Sequence, residues 1–152
     1  MEKIKKLLPY LFVVIFIAVI MIFVVIPSNG TKELICVSST NETGIKTDFD
    51  LKIVYENGNF KEVYHNIKFD LSKNWIEKDA YVNSIENDSS DYIEMGFEHE
   101  VVTDRDNKTV IAKMYGTKDT LNKDLIFFSK INDVEKHYEN VGYICEVEDF
   151  NW

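Results

Sequence analysis

Residues 45–71 read IKTDFDLKIVYENGNFKEVYHNIKFDL, and this stretch decides the fold. In its first half Ile45, Phe49, Leu51, Ile53 and Tyr55 share one side, while Lys46, Asp48, Asp50 and Lys52 share the other. A repeat of two is the signature of a strand with one face buried. From residue 60 the alternation resumes through Val63, His65, Ile67, Phe69 and Leu71. Between the two runs stands Asn57-Gly58-Asn59, and two alternating runs around an Asn-Gly turn predict a β-hairpin.

Working outward, residues 34–38 form a short strand candidate, followed by a turn at 41–44. After the hairpin the period lengthens. Asn74 with Glu77 three residues on has the form of a helix capping box. Tyr81, Ile85, Tyr92 and Met95 then fall at helical spacing, interrupted by the polar stretch 87–90, and Gly96 supplies a stop. Residues 97–103 alternate through His99, Val101 and Thr103. A turn at 104–108 leads to a strand at 109–115. Leu121, Leu125 and Phe128 are spaced for a short amphipathic helix or turn. Asn132 with Glu135 forms a second capping box, backed by Ile131, Val134, Tyr138 and Val141, with Gly142 as terminator. A last strand at 143–147 carries Cys145. Three strands, helix, two strands, helix and strand predict an α+β domain: a mostly antiparallel sheet with two or three helices packed on it.

Ahead of this domain, residues 7–26 carry no charge and are apolar throughout. Twenty residues at 1.5 Å each span roughly 30 Å, the thickness of a hydrocarbon core, and only a helix satisfies a single segment's backbone in lipid. Pro9 falls in the first turn, where a missing N–H costs little. The expected organisation is a cytoplasmic start at 1–6, a transmembrane helix at 7–26, a linker at 27–32 and an extracytoplasmic domain at 33–152. Lys3, Lys5 and Lys6 place the N-terminus in the cytoplasm. The alternative is a signal peptide cleaved near Ser28-Asn29-Gly30, although the run exceeds the roughly 7–15 residues of a signal core. Cys36 has no small residues before it and lies well beyond the run, which argues against a lipid-modified cysteine.

The 152 residues hold 17 basic and 26 acidic side chains, net −9. Three of the former and one of the latter precede the apolar run, which leaves 14 and 25, net −11, behind it. Such a balance argues against a nucleic-acid partner, because phosphate binding needs clustered Lys and Arg. The abundance of Lys, Asn and Ile suggests an AT-rich genome and, more loosely, a low-GC Gram-positive bacterium.

Cys36 and Cys145 stand at opposite ends of the domain. In an oxidising compartment they are expected to form a disulfide, the other reading being two buried thiols. With no Cys-x-x-Cys, a redox role is not expected. The three histidines, His65, His99 and His137, show no zinc-ligand spacing. His65 and His99 lie in alternating runs, where a hydrogen-bonded core or sheet histidine is the expected role, and a paired site across the sheet the sharper alternative. Alternation sends Glu98 and Glu100 away from His99. Asp104, Asp106 and Asn107 resemble part of a calcium loop but lack its glycine and terminal Glu, so an Asx-rich turn is expected. Glu86, Asp88 and Asp91 read as a solvated acidic face. Glycosylation triplets begin at Asn41, Asn87 and Asn107, all in expected loops or breaks. No phosphate loop, dinucleotide fingerprint or hydrolase elbow occurs. No catalytic residue, cofactor or metal is expected.

Leu-Ile-Cys-Val-Ser at 34–38, the hairpin around Asn57-Gly58-Asn59 and the closing YENVGYIC at 138–145 resemble small YehR-like extracytoplasmic proteins. These are bacterial lipoproteins and their anchored relatives. The resemblance spans roughly 33–146 and implies a fold and a location, not an activity. The expected function is a membrane-anchored extracytoplasmic binding or interaction module, with the membrane and an envelope protein as partners. The alternatives are an accessory subunit acting through its transmembrane helix, and an envelope enzyme with a dispersed site around His65 and His99.

Overall fold

The computed structural model describes residues 30–42 and 44–150. They form six strands, β1 (Thr31–Glu42), β2 (Ile45–Glu56), β3 (Asn59–Asp70), β4 (Glu98–Asp104), β5 (Thr109–Thr117) and β6 (Ile144–Phe150). The helices are α1 (Lys78–Asp88), the five-residue α2 (Ser90–Glu94) and α3 (Ile131–Asn140). The strands make one antiparallel sheet in the order β4-β5-β3-β2-β1-β6.

The β2–β3 hairpin closes where its sequence says it should. Glu56 opposes Asn59, and the two residues between them, Asn57 and Gly58, take φ of 53° and 78°. Two positive φ values in a two-residue loop match the twist of the flanking strands. β1 is far longer than the five residues expected and begins inside the stretch read as linker. It pairs with β2 along its whole length, from Thr31↔Glu56 to Glu42↔Ile45.

Alternation gives the sheet two unlike faces. One carries Leu34, Cys36, Leu51, Ile53, Val63 and Met114, each at most 3% exposed. Burying a Leu, Ile or Val of this kind contributes roughly 1.5–3 kcal/mol. Over one half of this face lies α3, whose Val134 is fully buried. Phe60, Phe97 and Phe127 meet there with ring centroids 5.9 and 6.1 Å apart, and Tyr55 donates its hydroxyl to the Phe127 carbonyl at 3.2 Å. Over the other half lies α1, which contains no buried residue.

The expected fold class, a transmembrane helix followed by a sheet bearing two or three helices, needs correction. The described residues give an α+β fold built on a six-stranded antiparallel sheet and two helices of more than two turns, α1 and α3. The transmembrane reading falls on residues 7–26, outside the described residues, and no described helix is long and apolar enough to cross a membrane. Around Leu121 to Phe128, where a short helix or turn was expected, it is the turn that forms. Leu125 is extended (φ −67°, ψ 146°), and only a 3₁₀ turn, Ile126–Phe128, follows. The chain instead lays Leu121 over Gly116, where a Cβ would collide with the leucine side chain, and drives Phe127 into the core. Neither expected capping box forms. Asn74 precedes a 3₁₀ turn, Trp75–Glu77, without a side-chain cap bond, and α3 starts at Ile131, so Asn132 is already inside it.

Cys36 and Cys145 oppose each other across β1 and β6 and are joined in a disulfide, 109 residues apart in sequence. Reduction, or replacement of both by Ala, is expected to lower unfolding stability by up to about 4.7 kcal/mol, the chain-entropy value for a loop of that size. Denaturant unfolding with and without reductant measures it. Gly96 has φ +94°, and a Cβ there would run into the Thr120 carbonyl. Gly44 has φ +82° but open space around it. We expect Gly44→Ala to cost about 1 kcal/mol from backbone strain alone and Gly96→Ala at least about 2, since there the backbone must also shift. Equal losses in the same unfolding assay would refute the steric part.

Candidate functional site

The loose seating of α1 leaves a cavity of about 190 Å³ between it and the sheet. The floor consists of Ile67 and Phe69 from β3 and Ala112 and Met114 from β5, placed side by side by the antiparallel register. Ile85, Asp88 and Ser89 descend from α1 and its C-terminal end, Tyr92 from α2, and His99 closes the side at β4. Ser89 is itself buried and donates its hydroxyl to the Glu86 carbonyl at 2.6 Å. A concave, mostly apolar space with a few convergent polar groups is the usual form of a small-ligand site, and an apolar cavity of about 150 Å³ holds a benzene-sized molecule.

The two strand histidines do share a face. Register runs Cys145, Cys36, Leu51, His65, Met114, His99 straight across the sheet. His65 and His99 are therefore two strands apart, roughly 10 Å, with Met114 between them, too far for one ion to bridge. The expectation of a hydrogen-bonded histidine fails at His65. Its ring is half-buried beside Phe49, centroids 6.5 Å apart, but Nε2 is sealed and has no hydrogen-bond partner among the described residues. Burial pushes this imidazole down to about 4, partly offset by the Asp50 carboxylate. It is neutral at neutral pH. Phe49 also packs against Tyr143, and Tyr143 against Tyr138, with ring centroids 6.1 and 5.3 Å apart. Burial raises both phenols above their ordinary value, Tyr138 the more strongly, with neighbouring tyrosines adding to the effect.

Among the described residues no helix lies on the opposite face of the sheet. Tyr64 and Tyr115 pack there with ring centroids 4.8 Å apart, and Tyr115 donates to Glu62 at 3.1 Å. Glu100 reaches Lys113 at 3.4 Å on this face, which confirms that alternation turns Glu98 and Glu100 away from His99. The remaining candidates are dispersed. His137 lies on α3 against Tyr138. Asp104 accepts the N–H groups of Asp106 and Asn107 and the Asn107 side-chain amide at 2.7 Å, an Asx turn that holds its carboxyl below the usual range. Of the three glycosylation triplets, Asn41 lies in β1 and Asn87 in α1, so only Asn107 is in a turn. Among the described residues no three His, Cys, Asp or Glu side chains converge on a metal position. The sequence pointed to the histidines but missed the cavity, because its floor and roof come from three strands and two helices whose only common signal was ordinary apolar spacing.

No protein-family model, curated protein or solved structure matches this chain.

The depressed His65 value has a measurable consequence. The unfolded imidazole titrates near its ordinary 6.5 and the folded one near 4. Above 6.5 both states are neutral. As pH falls from 6.5 to 4, the unfolded state takes up the proton that the folded state refuses, so stability is lost across that window. With its partial exposure allowed for, the loss is about 2–3 kcal/mol. Urea unfolding at pH 7.5 and pH 4.5 should show the wild type losing that much more than His65→Leu. Identical losses would mean that the imidazole is not held neutral by burial.

Proposed function

We propose that this protein is a membrane-anchored binding module. Its α+β domain stands on the extracytoplasmic side and takes a small ligand in the cavity between α1 and the sheet. The observation that carries this reading is that cavity: a space of about 190 Å³ floored by rigid central strands and roofed by a helix with no buried residue. The anchor rests on the uncharged run 7–26 and the lysines before it. The Cys36–Cys145 disulfide fits an oxidising compartment outside the cytoplasm. The resemblance to YehR-like extracytoplasmic proteins supports the same location. The sheet face around Tyr64 and Tyr115, which no described helix covers, is the surface left for an envelope protein partner, since accessible paired aromatics are what such contacts favour.

Complementation of a deletion strain tests the reading. Ala112 is 3% exposed and borders the cavity, so Ala112→Leu fills space without adding charge. We expect Ala112→Leu to abolish complementation while the protein reaches wild-type abundance with its disulfide formed. Exchange of residues 7–26 for an unrelated anchor should leave complementation intact. Full activity of Ala112→Leu would remove the cavity from the function. Failure of the anchor exchange would shift the function to the apolar segment and an accessory-subunit role.

A further inference from the structure

We infer that the cavity between α1 and the sheet selects a small amphiphilic amine, with its apolar body against the strands and its ammonium at Asp88. The inference rests on the binding reading above and specifies its ligand. The floor offers only hydrocarbon and thioether: Ile67, Phe69, Ala112 and Met114. Such a floor rewards an apolar body and has nothing with which to solvate a charge. The polar lining groups are Asp88, Ser89, Tyr92 and His99, and of these Ser89 is buried with its hydroxyl proton given to the Glu86 carbonyl. Among them Asp88 is the one carboxylate, and no Lys or Arg lines the cavity. Asp88 is exposed and makes no ion pair among the described residues, so it has no protein cation to give up when a ligand arrives. Glu86 and Asp91 are exposed on either side of it, and the chain behind residue 26 carries an excess of acidic over basic residues. A field of that sign concentrates cations at the mouth and repels carboxylates and phosphates. Tyr92 adds an aromatic face at the same rim, against which an ammonium is also favoured. An anion would meet acid on entry and hydrocarbon inside. A neutral ligand of the same shape would fill the floor but leave Asp88 unused.

Methionine methyl groups give a direct readout. Met114 is on the floor at 3% exposure, whereas Met95 is 37% exposed and outside the lining. The full chain, labelled with methyl-¹³C methionine and held in nanodiscs of zwitterionic lipid, is titrated with 2-phenylethylamine and with its neutral counterpart 2-phenylethanol. The Met114 methyl should shift saturably with both while Met95 stays in place, and the amine should bind about fivefold tighter, the gain expected from one exposed ion pair. Asp88→Asn, at an exposed helix end, should bring the two affinities together without changing the alcohol's. Ala112→Leu should abolish both shifts. Equal affinities in the wild type, or an amine preference that survives Asp88→Asn, would overturn the amine assignment while leaving a cavity that binds. No saturable Met114 shift with either probe would overturn the assignment and the cavity reading beneath it.

Discussion

The pairing of β1 with β6 is the constraint on which the rest of the domain depends. β1 opens the described chain and β6 closes it, yet they lie side by side, with Cys36 bonded to Cys145 in register. Without β6, β1 would be a sheet edge, and Leu34 would lose the cover of Val147 opposite it. Bringing the two ends together costs loop-closure entropy, which grows slowly with length but is already large for a chain of this size. The disulfide removes most of that cost from the unfolded state. The placement of α3 follows from the same pairing. The chain leaves α3 and turns at Gly142, with φ +97°, directly into β6, so fixing β6 presses Val134 and Tyr138 onto the core.

This clamp acts on one half of the molecule. Beneath α3 the helix–sheet interface is closed by Val134 and by the packed rings of Phe60, Phe97, Phe127 and Tyr138. Beneath α1 there is a smaller cluster, Ile45, Leu71 and Val110, with Tyr81, Val82 and Ile85 only partly buried against it. Segments with few buried apolar contacts open most easily, and binding elements are drawn from that end of the stability range. A firm sheet under a loosely held helix is thus what a ligand entering from the α1 side requires. The floor keeps its shape because β3 and β5 are internal strands, and the roof can yield.

The sheet was legible because its signal is local. Alternation through Ile45 to Tyr55 and Val63 to Phe69, with Asn57-Gly58 between, specifies a hairpin and its inward face without reference to the rest of the chain. The length of β1 was not legible. Residues such as Asn41 and Glu42 have poor strand propensity and become strand only because β2 offers them twelve partners in register. The segment around Phe127 was legible only in part. The spacing of Leu121, Leu125 and Phe128 marked Leu121, which the core does take, but the core also takes Phe127, which no periodic pattern marks. Capping boxes at Asn74 and Asn132 are short patterns, and packing moved both helix starts away from them. At the candidate site the sequence showed polar residues, whereas the decisive feature is space, and space is set by how far a helix stands off a sheet.

His65 shows how the two halves meet. It lies midway along the transverse row that begins at the disulfide and ends at His99, between the closed interface and the cavity. A histidine expected to be hydrogen-bonded instead has its Nε2 sealed with no partner among the described residues, which costs the desolvation of that nitrogen. Because that nitrogen is closed off, a ligand in the cavity cannot use it. Its polar end must turn toward the helix rim, where Asp88 and Tyr92 face solvent-accessible space, and its apolar end toward Met114. The orientation of a bound molecule is therefore dictated by the floor before the rim contributes any charge: hydrocarbon inward against Ile67, Phe69, Ala112 and Met114, which carry no charge, and the charged group outward because there it is both solvated and paired.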